Sequence, residues 1–211
     1  MKAITSITLI LVLIFLVSCT NATTESPNGE PPHTPRPMPQ IHPLQQNEDG
    51  NYIIIEPLNL LMGMTEEQWI ENSLAYPRFN EIMYSIELHI GGGVSTVVNS
   101  NMIATRKQTF YNGGLLHIRY YIDAIKEVVY ENELLSEITI FVDVELFQSE
   151  QYWNEREAVF FFLPNWVGTF QILSGVAPDE WHTTITVRCY DTNAFVSRTE
   201  FPHDNMFLRD W

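Results

Sequence analysis

The chain has 211 residues, of which 45% are hydrophobic and 12% aromatic, and its formal net charge is −15. This apolar content is too high for a chain that is disordered throughout, and the negative charge excludes a surface suited to a nucleic-acid backbone. Two cysteines are too few for a disulfide-rich scaffold or a four-cysteine zinc site. The length is that of one domain with extensions.

Residues 1–18 have the three parts of a secretory signal peptide. Lys2 supplies the positive charge, an apolar segment runs from Ile7 to Val17, and the small residue Ser18 ends it. A transmembrane helix needs about 20 apolar residues, so this segment is too short for one. We therefore predict that the protein is exported.

The signal ends in Leu16-Val17-Ser18-Cys19, which resembles the lipobox of bacterial lipoproteins. The resemblance implies cleavage between Ser18 and Cys19 and a diacylglyceryl group on the Cys19 thiol. Two or more acyl chains hold a protein at a membrane where one does not. We expect the protein on the extracytoplasmic face of the cell membrane, or at the outer membrane of a diderm host, with the lipid as its only membrane contact. The alternative is a plain secreted protein with an incidental Cys19.

Residues 19–51 have the composition of a tether. Seven of the twelve prolines lie here among Ser, Thr, Asn, Gln and Gly, and the large apolar residues are Met38, Ile41 and Leu44. Such a segment buries too little apolar surface to offset the entropy lost on ordering, so we expect an extended spacer. Asp49-Gly50 is predicted to be the turn before the first strand.

Residues 52–211 are predicted to form a single globular domain. Nine basic residues against 22 acidic ones show that the negative charge belongs mainly to this body. It begins with a strand at Tyr52–Ile55 and a helix that Thr65 and Gln68 start with a capping box. Near-helical spacing of apolar residues predicts a second helix over Phe79–Leu88, ended by three glycines.

Beyond the glycines, apolar residues alternate or form short continuous runs, as is typical of strands. The predicted strands are Val97–Thr105, Leu116–Ala124, Ile138–Leu146, Glu157–Leu163, Gly168–Leu173 and Thr183–Tyr190. The run over Glu157–Leu163 is predicted to be central, and Tyr111-Asn112-Gly113-Gly114 is a hairpin signal. Six strands favour a mainly β (α+β) fold, either a small barrel or a curved antiparallel sheet with one or two N-terminal helices.

Four segments between residues 94 and 175 occur in a characteristic order: Ile125–Tyr130, Ile138–Val142, Phe160–Leu163 and Gly168–Phe170. This order resembles small OB-like barrels of the netrin or metalloproteinase-inhibitor type in secreted bacterial proteins. The sequence departs from that pattern where Glu131-Asn132 replaces a glycine, and it lacks the cysteines of the eukaryotic versions. The resemblance implies an OB-like barrel and no site residue, because the matching positions belong to the core.

The second cysteine has no predicted chemistry. Ile185, Val187 and Cys189 share one face of an alternating strand, so Cys189 is predicted to be a small buried apolar residue. A catalytic thiolate would need exposure and a nearby cation. With Cys19 lipidated, Cys189 has no partner for an intramolecular disulfide.

No catalytic motif of the Gly-x-Ser-x-Gly, His-Glu-x-x-His or Ser-x-x-Lys kind occurs in the sequence. We therefore predict no catalytic residue, no metal and no cofactor. Asp143 and Glu145 would share one face of a predicted strand and could act as general acid and base. They carry the alternative hypothesis, a cell-envelope hydrolase.

The aromatic residues give the main functional hypothesis. Trp153, Trp166, Trp181 and Trp211 lie in or next to predicted turns, where they could cap the core or bind a ligand. Trp153 and Trp166 are the candidate binding surface, because polar or turn residues flank each of them. The sequence thus predicts a lipid-anchored, non-enzymatic domain that binds a protein or a cell-envelope component. A small inhibitor-like or assembly factor is a further possibility.

Overall fold

The structure of the protein is a computed structural model that describes residues 29–76, 83–109, 111 and 123–202. Side chains are also left undescribed in part of one helix, at residues 153–155 and 157–159. Several predicted features lie outside the described residues: the signal peptide, Cys19, the hairpin turn at 112–114, most of the strand Leu116–Ala124, and Trp211.

The described part contains seven strands and four α-helices. The strands are β1 (Tyr52–Glu56), β2 (Met83–Leu88), β3 (Val94–Val98), β4 (Ile125–Tyr130), β5 (Glu137–Val142), β6 (Thr183–Cys189) and β7 (Phe195–Phe201). The α-helices are α1 (Glu66–Ala75), α2 (Ser100–Thr109), α3 (Val144–Gln148) and α4 (Trp153–Leu173). Within the described ranges, none of the helices is long and apolar enough to cross a membrane.

Several predictions made from local patterns are confirmed. β1 and β6 lie where strands are predicted at Tyr52–Ile55 and Thr183–Tyr190. The capping box at the start of α1 is complete, because the Thr65 side chain accepts from Gln68 N at 3.3 Å and the Gln68 side chain accepts from Thr65 N at 3.0 Å. The turn at Asp49-Gly50 is also present, with Gly50 N donating to Asn47 O at 3.0 Å before β1.

The compact unit that contains these elements begins at Arg36, ahead of the predicted boundary at residue 52. Ile41 pairs with Val176 in an isolated β-bridge, and Leu44 packs against the core. The composition of residues 19–51 does not predict these contacts, because one packed side chain and a few backbone hydrogen bonds are enough to hold this part of the chain against the body.

β1, β3 and β2 form an antiparallel sheet in that order. The helix predicted over Phe79–Leu88 is wrong for Met83–Leu88, which is strand β2. Near-helical apolar spacing over so short a segment does not exclude a strand. The turn after β2 requires glycine and favours a hairpin. Gly91 to Gly93 all have positive φ, and a Cβ atom at Gly93 would clash with the Glu56 carbonyl oxygen. These glycines close the hairpin between β2 and β3.

The predicted strand Val97–Thr105 is wrong beyond Val98, where β3 ends. α2 begins at Ser100, and the Asn99 side chain accepts a hydrogen bond from Asn101 N at 2.8 Å. Asn is a favoured N-cap because its oxygen pairs with a backbone N–H that the first helical turn leaves free. This local cap, and not the apolar alternation, decides where the strand ends.

β4, β5, β6 and β7 form the second sheet in that order. β5 and β6 are parallel, and the other neighbouring pairs are antiparallel. A parallel pair needs a long crossover connection, and here the crossover contains α3 and α4. The predicted strand Ile138–Leu146 is confirmed as far as Val142, where β5 ends.

The predicted strands Glu157–Leu163 and Gly168–Leu173 are wrong, because both segments lie in α4. A continuous apolar run fits a buried helix as well as a buried strand. Pro164 lies inside this helix, and Asn165 Nδ2 donates to Phe161 O at 2.6 Å. Pro164 removes the N–H that would pair with Phe160 O, and the Asn165 side chain donates to the next carbonyl along the helix.

The two sheets and the helices make an α+β, mainly β fold, and the described residues form no closed barrel. Two of the four segments that resemble an OB-like barrel, Phe160–Leu163 and Gly168–Phe170, are helical. The strands that would complete such a barrel are therefore replaced by one helix that covers the sheets.

α4 approaches the core closely at Gly168. A Cβ atom at this position would lie 2.6 Å from Leu60 Cδ2 and 2.9 Å from Trp181 Cε3. Trp181 is buried, and its Nε1 donates to Asn59 Oδ1 at 3.1 Å. Trp181 is thus a core residue, and the glycine makes room for its ring.

One turn further along α4, the buried amide of Gln171 joins the helix to the second sheet. Its Nε2 donates to Leu134 O at 2.8 Å and to His182 O at 2.7 Å, and its Oε1 accepts from His182 N at 3.1 Å. We refer to Gly168, Gln171 and these partners as the α4 junction. It fixes the position of α4 and hence of the residues on its other side.

Candidate functional site

One face of α2 forms the wall of a cavity. Its residues recur three or four positions apart, which places them on the same side of a helix. The cavity has a volume of about 570 Å³. It is lined by Leu44, Tyr52, Ser100, Ile103, Ala104, Lys107, Gln108, Tyr111 and Phe170. We refer to it as the aromatic pocket, because rings from β1, α4 and the chain just after α2 meet there.

The rings of the aromatic pocket continue into the body as a cluster. The Tyr111 ring centroid lies 6.1 Å from that of Phe170 and 6.5 Å from that of Tyr130. Burial, with a smaller contribution from Tyr111, raises the pKa of the Tyr130 phenol above its ordinary value of 10.0. The surroundings of the Tyr130 phenol therefore disfavour its anionic form.

Lys107 is the charged residue of the aromatic pocket. Its Nζ lies 5.5 Å from the centroid of the Phe170 ring, within the range of a cation–π contact. In the described part of the chain, no carboxylate is within ion-pair distance of this ammonium group. By contrast, Arg36 pairs with the Glu200 carboxylate at 3.0 Å, whereas Lys126 donates to the backbone carbonyl of Asp123 at 3.0 Å.

The opposite face of α2 lines a second cavity of about 710 Å³. Its wall is rich in methionine and aromatic residues: Met64, Trp69, Tyr76, Met83 and Met102. Arg106 is the cation here, and Glu56 lies 3.8 Å away with its side chain almost fully buried. This cation already has a counter-ion from the protein, which distinguishes it from Lys107.

The two tryptophans predicted as a binding surface lie on α4. Trp153 is its first residue, with a side chain outside the described set. Trp166 lies mid-helix, where its ring packs against the core and stacks on Phe162 at 6.0 Å between centroids. At 1.5 Å per residue the two positions are about 20 Å apart along the helix axis. Trp166 does not line the aromatic pocket.

Asp143 and Glu145 do not share a strand face, so that expectation is wrong. Asp143 is the N-cap of α3, and its Oδ1 accepts from Leu146 N at 3.1 Å. Glu145 lies in the first helical turn, and residues two apart on a helix point to different sides. The arrangement serves to start the helix.

Cys189 is only partly buried, at the end of β6, and not the core residue predicted. Hydrogen bonds from the Thr192 side chain and backbone lower the pKa of its thiol below the ordinary value. Among the described residues, no group of three or more His, Cys, Asp and Glu side chains is placed to hold a metal ion.

The aromatic pocket could not be found from the sequence once part of α2 was assigned to a strand. A strand would place Ile103 on the face opposite to Ser100 and Ala104, and so would hide the common face that these three residues share on the helix. The three- and four-residue spacing of these positions is the signal that could have revealed it. No protein-family model, curated protein or solved structure matches this chain.

Proposed function

We propose that this protein is a lipid-anchored, extracytoplasmic, non-enzymatic binding protein whose body binds a cell-envelope component in the aromatic pocket. The observation that carries the proposal is the pocket itself. Its volume of about 570 Å³ lies within the roughly 300–1,000 Å³ of typical ligand sites, and aromatic rings with a few polar groups line it. An OB-like barrel is no part of the proposal, because two of its strands are helical.

The anchor rests on the lipobox-like sequence that ends in Cys19. It would hold the protein at the extracytoplasmic side of the membrane, where the ligands within reach are envelope components. Substituting Cys19→Ala should abolish labelling of the protein by a radioactive or clickable fatty acid. Labelling that persists in this variant would refute the anchor and leave the binding proposal standing.

The lining of the pocket suits a sugar ring. Tyr52 and Tyr111 offer flat apolar faces, and the tyrosine hydroxyls together with Gln108 and Ser100 can exchange hydrogen bonds with hydroxyl groups. Part of the wall belongs to packed elements, since α2 rests against α4 and the α4 junction holds that helix. A preformed site spends less of its interaction energy on ordering.

The proposal is tested by filling the pocket. Ala104 is an exposed residue of α2 that lines the cavity, so Ala104→Phe should block it without disturbing the core. The matched control is Ala75→Phe, at the exposed end of α1 and away from the pocket. The lipidated full-length protein in detergent micelles is titrated with soluble peptidoglycan fragments, and binding is followed by calorimetry.

We expect Ala104→Phe to weaken binding at least about tenfold and Ala75→Phe to leave it unchanged, because only the first ring occupies the ligand's space. Equal binding by the two variants, or no binding by any form, would refute the pocket as the site. Cleavage of the fragments that disappears in Asp143→Asn would instead support the hydrolase alternative.

A further inference from the structure

We infer that the aromatic pocket selects an anionic ligand: a carboxylate carried on a ring. This inference rests on the proposed function and specifies the chemistry of its ligand. Its starting point is Lys107, whose ammonium group faces the Phe170 ring at 5.5 Å. The carboxylate is the group that the described part of the protein does not itself provide there.

The position of Lys107 contrasts with that of its neighbour on α2, Arg106. The chain has 26 acidic residues against 11 basic ones, so a carboxylate partner for a lysine is easy to supply. On the other face of the same helix, the neighbouring Arg106 does have one, since Glu56 lies 3.8 Å away. Two successive cations of α2 thus line two cavities, and in the described part of the chain a carboxylate lies near Arg106 but none near Lys107.

The surroundings of Lys107 determine what kind of anion fits. Charge-assisted hydrogen bonds from an ammonium group to a carboxylate are about twice as strong as neutral ones, and apolar walls strengthen them further. The faces of Tyr52 and Tyr111 favour a ligand whose charge is attached to a flat or apolar-faced ring, because Lys107 already lies over the Phe170 ring. A bare inorganic anion would leave these rings without contact.

Two pairs of probes isolate the charge. Glucuronic acid and glucuronamide have nearly the same shape and differ in the carboxylate, and so do benzoate and benzamide. The sugar pair and the aromatic pair together show whether the ring that the pocket accepts is a saccharide or an arene. Affinities are measured with the lipidated full-length protein in micelles by ligand-observed NMR.

We expect at least one acid to bind about tenfold or more tightly than its amide, because one charge-assisted hydrogen bond contributes that much. Lys107→Met should reduce the affinity for the acid to that for the amide, and Lys107→Arg should largely retain it. Lys126→Met is the matched control: it removes one positive charge at a distance from the pocket and should have no effect. Added salt should weaken binding of the acid more than binding of the amide.

The outcomes separate this inference from the proposed function. If peptidoglycan fragments bind in a manner sensitive to Ala104→Phe while both acids and amides bind equally, the pocket stands and the anionic selection is refuted. The anionic selection is also refuted if Lys107→Met leaves acid binding unchanged, which would reduce Lys107 to a favourable charge at the end of a helix. Absence of binding by all four probes likewise overturns the inference.

Discussion

Two adjacent residues of α4 lie in different environments, Gln171 in the buried α4 junction and Phe170 at the aromatic pocket. Gln171 points into the α4 junction, where its amide makes three hydrogen bonds to the backbone of Leu134 and His182. Phe170 lies at the aromatic pocket, with its ring between Lys107 and Tyr111. One turn of one helix therefore serves both the core and the candidate site.

The two environments differ in whether the protein itself supplies hydrogen-bond or ion-pair partners for the polar side chains of Gln171 and Lys107. In the α4 junction the protein supplies all the partners of the buried amide, as it does for the Thr183 hydroxyl, which donates to Leu135 O at 2.8 Å. In the pocket, the Lys107 ammonium group lies over the Phe170 ring and has no carboxylate partner among the described residues. The comparison suggests that changes in the junction act on stability and changes in the pocket act on binding.

The largest expected effect is on stability, from Gln171→Leu. The substitution leaves three buried backbone groups without their partner, and each such group costs about 1–3 kcal/mol. We expect the free energy of unfolding to fall by about 3–5 kcal/mol in denaturant titrations followed by circular dichroism. Gln148→Leu, at the exposed end of α3, is the control and should change stability by less than about 0.5 kcal/mol.

The same variant tests the comparison itself. Under conditions in which Gln171→Leu is folded, its affinity for peptidoglycan fragments should fall less than that of Ala104→Phe, because Gln171 helps to position α4 but does not line the pocket. A loss of binding as large as that caused by Ala104→Phe would show that the α4 junction and the aromatic pocket are not separable.

We expect a smaller loss of stability from Gly168→Ala, because a gain in helix propensity opposes a steric clash. Alanine stabilises a helix interior by about 1 kcal/mol relative to glycine. The new Cβ, however, would lie 2.6 Å from Leu60 Cδ2 and 2.9 Å from the Trp181 ring, and overpacking costs about 1–3 kcal/mol. We expect a net loss of about 1 kcal/mol, measured by denaturant unfolding.

A double-mutant cycle identifies the cause of that loss. Leu60→Ala removes one of the two groups that the new Cβ would strike, so the destabilisation by Gly168→Ala should be smaller in the Leu60→Ala background. Additive effects of the two substitutions would show that steric contact with Leu60 is not responsible.

What the sequence revealed of the fold was local. The capping box of Thr65 and Gln68 and the turn at Asp49-Gly50 involve residues within a few positions of each other, so their patterns are complete in the sequence. The apolar alternation of β6 is equally local. These elements were predicted because nothing distant competes with them.

The failures concern residues whose role depends on distant partners. Pro164 and Gly168 look like interruptions between two strands, yet both lie inside α4, where the glycine accommodates the Trp181 ring. The aromatic run before them fits a strand or a buried helix, and its place in the crossover between β5 and β6 determines which one forms. A single sequence does not contain that information.

The candidate site was missed for a related reason. Its residues come from β1, α2 and α4, and two of those elements were assigned wrongly in part. The role proposed for Lys107 depends on the residues that surround it in the folded structure. The sequence does not reveal them, since the adjacent residue Arg106 faces a different cavity. Tryptophans near predicted turns were a weaker guide: Trp181 proved to be a core residue, and Trp166 packs against the core.

The smallest expected effect concerns Tyr130, which lies between the two environments. Its ring packs against the core and also faces Tyr111 at the pocket, and burial raises the pKa of its phenol above 10.0. Below about pH 9 the phenol is protonated in both the folded and the unfolded chain, so its contribution to stability is fully present. Above pH 10 the unfolded chain releases a proton that the folded protein retains, and the free energy of unfolding falls as the pH rises.

Tyr130→Phe removes this titration. We expect the wild type to lose stability more steeply than the variant between pH 10 and 11, whereas below pH 9 the two profiles of unfolding free energy against pH should run parallel. The measurement is denaturant unfolding at a series of pH values. Parallel profiles throughout would mean that water reaches the phenol, which would place Tyr130 with the open aromatic pocket. A steeper loss of unfolding free energy in the wild type would show that the Tyr130 phenol is shielded from water, as in the core. The boundary between the core and the aromatic pocket then lies between Tyr130 and Tyr111.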